Sequence, residues 1–289
     1  MPNAKAKIAV IGGSGLYDMP GLTGIEKINM MTPFGPPSDT IAVGSLRGTR
    51  VAFLPRHGRG HRIMPTEIPV RANIYALKML GVEQVIAINS VGSFKLEVKP
   101  GDLLIPDQFI DRTSQRANTF FGEGIVAHIQ FAEPVCPVLS RVLCESASEA
   151  GACVHPGGTY VVMEGPAFST RAESRLHRSW GADVIGMTAL PEAKLAREAE
   201  MCYAVIACAT DYDSWHETKE AVSVDAIFRI LRQNIELSKR IIELAVTKLS
   251  VQRECGCQGA LEHAIVTDPG LIPAERKRDL APIIGKYLK

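Results

Sequence analysis

Asp211 and Asp213 stand in "ATDYDSW", residues 209–215, directly after the most apolar run of the chain. Side chains two apart on an extended backbone point to one side, so this spacing gathers two carboxylates at a strand end. Such a pair can be a cation site, a helix-capping feature or an acid–base device. Two carboxylates are too few for an all-protein calcium cage. Carboxylates kept partly dry acquire raised pKa values and can donate protons. A second group, "PRHGRGHRIMP" at 55–65, collects Arg56, His57, Arg59, His61 and Arg62 in one loop. The planar fork of arginine matches a phosphate. His57 and His61 are four apart, but Gly58 and Gly60 disfavour a helix and no third ligand is near, so a metal is the weaker reading. An oxyanion site and a solvated basic loop both stay open.

Three further stretches end strands in small polar residues. "INSVGS" at 88–93 offers Asn89, Ser90 and Ser93 as donors, with Gly92 permitting close backbone approach. "VIGMTALPEAKLA" at 184–196 places Met187 and Thr188 just before a helix, where Met187 is equally suited to a core and Thr188 to a turn. "IAVIGGSGLYD" at 8–18 runs from an apolar strand into a glycine turn around Ser14. Such a turn can aim backbone N–H groups at an anion. It lacks the third spaced glycine of a dinucleotide fingerprint and the Gly-Lys-Ser/Thr ending of a P-loop. A tight turn that binds nothing is the alternative.

The elements that must position these residues alternate along the chain. Strand-like runs are expected at 7–11, 41–45, 51–55, 85–89, 102–106, 159–163, 183–187 and 202–210. Several are continuously apolar, as for strands buried on both faces. Helices are expected over 67–80 and 137–150, each stopping at a glycine, and from the capping box Thr170-x-x-Glu173 to Trp180. The longest helix follows Ser223, with apolar residues at helical spacing from Val224 and Ile227 to Leu249. This alternation predicts an α/β domain. In an open α/β sheet ligands collect beyond the carboxyl ends of strands, which is where the glycine turn, Arg56, Ser90 and Thr188 would meet. Beyond about 251 the character changes to "QRECGCQG" and then a Pro-containing basic helix.

Bulk properties exclude several classes. The 289 residues are 46% hydrophobic and 22% charged, and the net charge is +1, so a sequence-independent nucleic-acid binder is disfavoured. No run approaches the length of a membrane span and no signal peptide is recognisable. Seven scattered cysteines suit a reducing compartment.

The ordered motifs "GGSGLYD", "TPFGPPSD", "PRHGRGH", "NSVGS", "DQFIDRT", "EGPAFSTRAES", "GADVIGMTALPEAKLAREA" and "ATDYDSW" resemble the 5'-methylthioadenosine phosphorylases of the trimeric purine nucleoside phosphorylase family over about residues 7–250. The resemblance implies a single α/β domain, 1–250, around a mixed, partly barrel-like sheet flanked by helices, with 251–289 as a C-terminal arm packed on the same domain or a neighbouring subunit. It implies a pentosyltransferase of purine and methionine salvage in the cytoplasm. Inorganic phosphate is its co-substrate, attacking C1' of the nucleoside, and no cofactor or metal is expected. Phosphate is expected against Ser14, Arg56, His57, Asn89, Ser90 and Thr188. Met187, Phe168 and Ser169 are expected at the ribose and purine, and Asp211 and Asp213 at N7 and the 6-amino edge. Val224 and Ile227 would line a 5'-methylthio pocket, completed by His128 of a neighbouring subunit in a trimer or dimer of trimers. Oxopurine-specific relatives carry Asn at the place of Asp211 and Glu at that of Ser169, so both residues favour a 6-aminopurine. A 6-oxopurine or methylthioinosine phosphorylase, a nucleosidase and a non-catalytic nucleotide-binding module are the competing readings. The tail does not align with the family. Cys255 and Cys257 are expected to be two solvated thiols, with a redox-sensitive pair or a bridge to another cysteine as the alternative.

Overall fold

Four apolar residues, Ile8 to Ile11, form a strand because each faces a hydrophobic layer. In the computed structural model, β1 (Ile8–Gly12) sends Ala9 and Ile11 into one core cluster and Ile8 and Val10 into another. A strand buried on both faces has no polar side, which is why its sequence does not alternate. The structure describes residues 5–13, 15–16, 19–216, 224–249 and 253–288, the side chains of 224–228 excepted.

Among the described residues the sheet has eleven strands: β1, β2 (Thr23–Ile28), β3 (Ile41–Leu46), β4 (Thr49–Pro55), β5 (Gln84–Ser93), β6 (Leu103–Ile105), β7 (Gln108–Arg112), β8 (Val154–Pro156), β9 (Thr159–Met163), β10 (Val184–Gly186) and β11 (Cys202–Tyr212). One path runs β2-β3-β4-β1-β5-β10-β9-β7, and β11, with β6 and β8 beyond it, branches from β5. Parallel pairs (β1 with β4 and β5, β5 with β11, β7 with β9, β9 with β10) coexist with antiparallel ones (β2 with β3, β3 with β4, β5 with β10, β6 with β11). The sheet is therefore mixed. It curls at β5, whose C-terminal residues pair with both β10 and β11.

Helices α1 (Val70–Met79) and α4 (Ala189–Glu198) cover one face through Ile74, Leu77 and Leu195. Helices α2 (Pro137–Glu149) and α5 (Val224–Lys248) cover the other through Leu139, Leu143, Ile241 and Ala245. Between β9 and β10 lies α3 (Arg171–Ser179), whose Thr170–Glu173 capping box forms as expected.

Two helix boundaries differ from expectation through proline. The helix expected from 67 starts at Val70, because Pro69 lacks an N–H and restrains the residue before it. The single basic helix expected in the tail is instead two short ones, α6 (Ala274–Asp279) and α7 (Ala281–Ile284). Leu261, Leu280 and Ile284 of this tail are buried in the same core as α1 and α4, and Tyr75 donates its hydroxyl hydrogen to the Asp279 carbonyl.

Candidate active site

One of the two most buried charged residues among those described is an arginine that looked available from sequence. Arg56, immediately after β4, is 1% exposed. Its Nε and Nη2 donate to the two oxygens of Glu192 on α4 at 2.5 and 3.0 Å, its Nη1 to Ile88 O at 2.9 Å, and its Nη2 also to Asn89 Oδ1 at 3.1 Å. The fork offered to phosphate thus holds a carboxylate instead. Its bonds to described residues leave one Nη1 hydrogen for an anion. Tyr203 donates to Glu192 at 3.0 Å, so that carboxylate is fully engaged in the interior.

Asn89 extends this network. Its amide nitrogen donates to Tyr160 Oη at 3.2 Å and to Thr188 Oγ1 at 2.9 Å, while its oxygen accepts from Arg56. With both amide hydrogens engaged and 2% exposure, its side chain has no donor left for phosphate. It orients Thr188 instead. Because Thr188 Oγ1 accepts from Asn89, its own hydrogen is left to donate outward. Burial pushes the Tyr160 phenol up to about 12, so it stays a neutral hydroxyl. Gly186 has to be glycine here, since a Cβ would lie 2.2 Å from the Tyr160 hydroxyl.

Ser90 is the one exposed residue within the otherwise buried or half-buried β5. An exposed side chain in the central strand of an eleven-stranded sheet marks an opening in the fold. His57 donates from Nδ1 to Ile63 O at 2.9 Å and its ring stacks on His61 with centroids 4.3 Å apart. Burial lowers its pKa to about 4; the Ile63 carbonyl opposes this, and the charge of Arg56 adds to it. The imidazole is therefore neutral near pH 7, with Nε2 carrying the lone pair.

The acid pair stands one side-chain repeat further along. A β-bulge at Thr210 shifts the register so that Asp211 lies opposite Gly92, two residues beyond Ser90. Gly92 allows this approach: a Cβ there would meet the Asp213 Cβ at 3.3 Å. Burial raises the Asp211 pKa and the Asp213 charge raises it further, against a 2.6 Å hydrogen bond from Thr210 Oγ1 to Asp211 Oδ1. Asp213 is 7% exposed, and its Oδ2 has no hydrogen-bond partner among the described residues. An orphaned buried carboxylate oxygen is costly and calls for a donor from a ligand.

The remaining expected residues surround this end. Ser169 is buried and its carbonyl accepts from Ser214 Oγ at 2.8 Å, which ties the Phe168 loop to the residue after Asp213. Phe168 itself is 83% exposed, an aromatic face held in the open. Met187 packs its sulfur where a Cβ on Gly165 would fall, 2.6 Å away. His128 is exposed and its amide donates to Ala264 O; no hydrogen bond or ring contact joins it to this group among the described residues. Ser14 and the side chains of Val224 and Ile227 lie outside the described residues.

Arg116 was missed from sequence. Its Nη1 donates to Met187 O at 2.5 Å and Leu190 O at 2.9 Å, and its Nη2 to Glu164 O at 2.6 Å, clamping the Met187–Thr188 turn to the loop that carries Phe168. Burial would raise the pKa of Glu164, but the Ser114 amide and the Arg116 Nε hydrogen bond hold it down to about 2. The sequence marks Glu164, an acid just after the expected 159–163 strand, but not Arg116, whose preceding strand β7 was not expected. Their pairing across 48 positions was not readable.

The sequence profile of the Phosphorylase superfamily matches residues 7–246. The S-methyl-5'-thioadenosine phosphorylase of Geobacter sulfurreducens is 61% identical over 97% of this chain and 99% of its own length. That of Koribacter versatilis is 53% identical over 98% and 97%. Among solved structures, a methylthioadenosine phosphorylase sourced from an antarctic soil metagenomic library superposes with a TM-score of 0.94 at 48% identity, covering 97% of this chain and 99% of that one. The methylthioadenosine phosphorylase of Schistosoma mansoni in complex with tubercidin gives 0.82 at 36% identity, covering 89% and 96%. The chain belongs to the Phosphorylase superfamily, and within it to the family of the S-methyl-5'-thioadenosine phosphorylases.

Proposed function

We propose that this enzyme catalyses phosphorolysis of 5'-methylthioadenosine, giving adenine and 5-methylthioribose 1-phosphate. The observation that carries the reading is the register along β5 and β11: outward-facing Ser90 and the acid opposite Gly92 are two residues apart. That is about 7 Å of strand, the span between an anion under the sugar and the far edge of a base above it.

At one end, Thr188, Ser90 and the remaining Arg56 Nη1 hydrogen donate to phosphate. Neutral His57 offers Nε2 to the hydrogen of monohydrogen phosphate. Bound phosphate stabilises the positive charge that develops on the sugar and captures C1'. At the other end the purine leaves as an anion and needs a proton at N7. Asp211 supplies it from Oδ2, since Oδ1 is engaged by Thr210. The orphaned Asp213 Oδ2 accepts from the 6-amino group, which favours adenine over a 6-oxopurine. Phe168 stacks on the base. Apolar residues such as Val224 and Ile227 at the 5' end of the substrate would suit a methylthio group, with adenosine as a weaker substrate, because an apolar pocket rejects a hydroxyl only about a hundredfold. His128 of a neighbouring subunit reaches that pocket in a trimer, and the enzyme works in the cytoplasm.

Product analysis tests this. Adenine and 5-methylthioribose 1-phosphate are expected together and only when phosphate is present. Free 5-methylthioribose formed without phosphate would make the enzyme a nucleosidase. Higher kcat/KM on methylthioinosine than on methylthioadenosine would overturn the base assignment.

A further inference from the structure

The expectation of two solvated thiols in Cys255-x-Cys257 does not hold for Cys257, which is 4% exposed. Both residues face two cysteines from distant parts of the chain. Cys136 precedes α2, Cys202 opens β11, and the Sγ atoms of Cys136, Cys202, Cys255 and Cys257 all lie within 4.8 Å of one another. Cys136, Cys202 and Cys257 are buried and Cys255 is partly so.

We propose that these four sulfurs form a closed tetrathiolate site for one zinc ion. Zinc–sulfur bonds of about 2.3 Å place tetrahedral sulfurs about 3.8 Å apart. The observed sulfurs bracket that spacing, from 3.3 Å between Cys202 and Cys255 to no more than 4.8 Å, so shifts of about 1 Å or less reach that geometry. The donor set is all sulfur, which selects zinc over magnesium, calcium or manganese. Four protein ligands leave no open coordination position, the mark of a structural rather than a catalytic site. The surroundings also suit a thiolate. Cys136 is the N-cap of α2, and its sulfur accepts the Leu139 amide hydrogen at 3.5 Å. A helix N-terminus and an amide donor both favour the deprotonated sulfur. Two separate disulfides would require each sulfur to meet only one other. Here every sulfur is within reach of the other three, which is the arrangement a shared central ion demands. On binding, each coordinating thiol gives up its proton to solvent, so four thiols and Zn2+ yield a site of net charge −2.

The ion would fasten three parts of the chain: the start of α2, the start of β11 and the tail. Cys202 and Cys255 are 53 positions apart, and the segment they close contains Asp211, Asp213 and all of α5. The site is thus a clasp on the strand that carries the acid pair, made from residues that take no part in the chemistry.

The test uses the full chain, purified without a metal-chelating tag and without added chelator. Elemental analysis is expected to find about one zinc per chain, while thiol titration in denaturant without reductant finds all seven cysteines free. Stripping with a strong chelator is expected to lower Tm, and added Zn2+ to restore it. Cobalt in place of zinc is expected to show the intense visible bands of tetrahedral thiolate coordination. Cys257→Ser is expected to lose the zinc. Should that variant not fold, the stripped and reloaded wild-type protein decides. Seven thiols without stoichiometric zinc would overturn the proposal, and so would fewer than seven thiols without zinc, which would mean disulfides.

Discussion

The two ends of the candidate site are built on opposite plans. At the proposed phosphate end, buried Glu192, Arg56, Asn89 and Tyr160 form one chain that ends on half-buried Thr188, and almost every donor and acceptor in it is matched among the described residues. At the proposed purine end, among the described residues, Asp213 holds an unpaired buried oxygen, Asp211 has one hydrogen-bond partner and Phe168 is exposed. A satisfied network is rigid and orients its last hydroxyl without reorganisation. An unsatisfied end stores a desolvation cost that only a ligand with the right donors relieves. On the proposed reading, the first suits a small, invariant anion and the second is where substrate identity is decided.

That contrast can be broken most forcefully at Asp211. Asp211→Ala is expected to lower kcat by about 10²–10⁴-fold, the usual contribution of a general acid, while the KM for phosphate changes little. An equal loss at both would mean the ends are not separate. The next largest effect is expected at the matched end. Glu192→Gln leaves a buried guanidinium without its counter-charge and is expected to cost about 3 kcal/mol or more in denaturant unfolding. It should also raise the KM for phosphate, because Thr188 loses its orienting chain. Unchanged stability would show that the network is not held by the ion pair.

The smallest predicted effect sharpens the pH behaviour. The Asp211 pKa is raised by burial and then by the Asp213 charge, so the proton-donating form persists to higher pH than in a free aspartic acid. Activity falls as pH rises through that value. Asp213→Asn removes the charge and lowers the Asp211 pKa, so the alkaline limb of the kcat profile is expected to move toward acid. A limb that stays in place would assign it to another group.

Much of the fold was legible because β1, β5 and β11 are apolar on both faces and their helices begin and end on caps, prolines and glycines. What escaped was β2, an exposed edge strand, half-buried β7, and β8 with three residues. None of these has a hydrophobic signature. The candidate site divides similarly. Ser90, Thr188 and the acid pair could be singled out as candidates because they end apolar strands. The role of Asn89 could not, since sequence shows donor capacity and not where it is already engaged. Glu192 and Arg116 escaped because their partners are 136 and 48 positions away. A buried acid inside a helix has no local sign of its counter-charge.

One strand, β5, lies between the acid pair and the Met187–Thr188 turn. It pairs with β11, bearing the acids, and with β10, which leads into Met187 and Thr188. These two neighbours are separate pieces of chain. On the proposed reading, substitutions on β11 can therefore retune which base is accepted while the anion cradle on the β10 side stays intact. The architecture is modular in the evolutionary sense: one strand serves as a fixed ruler, and leaving-group preference can drift along one edge without the nucleophile having to be reinvented on the other.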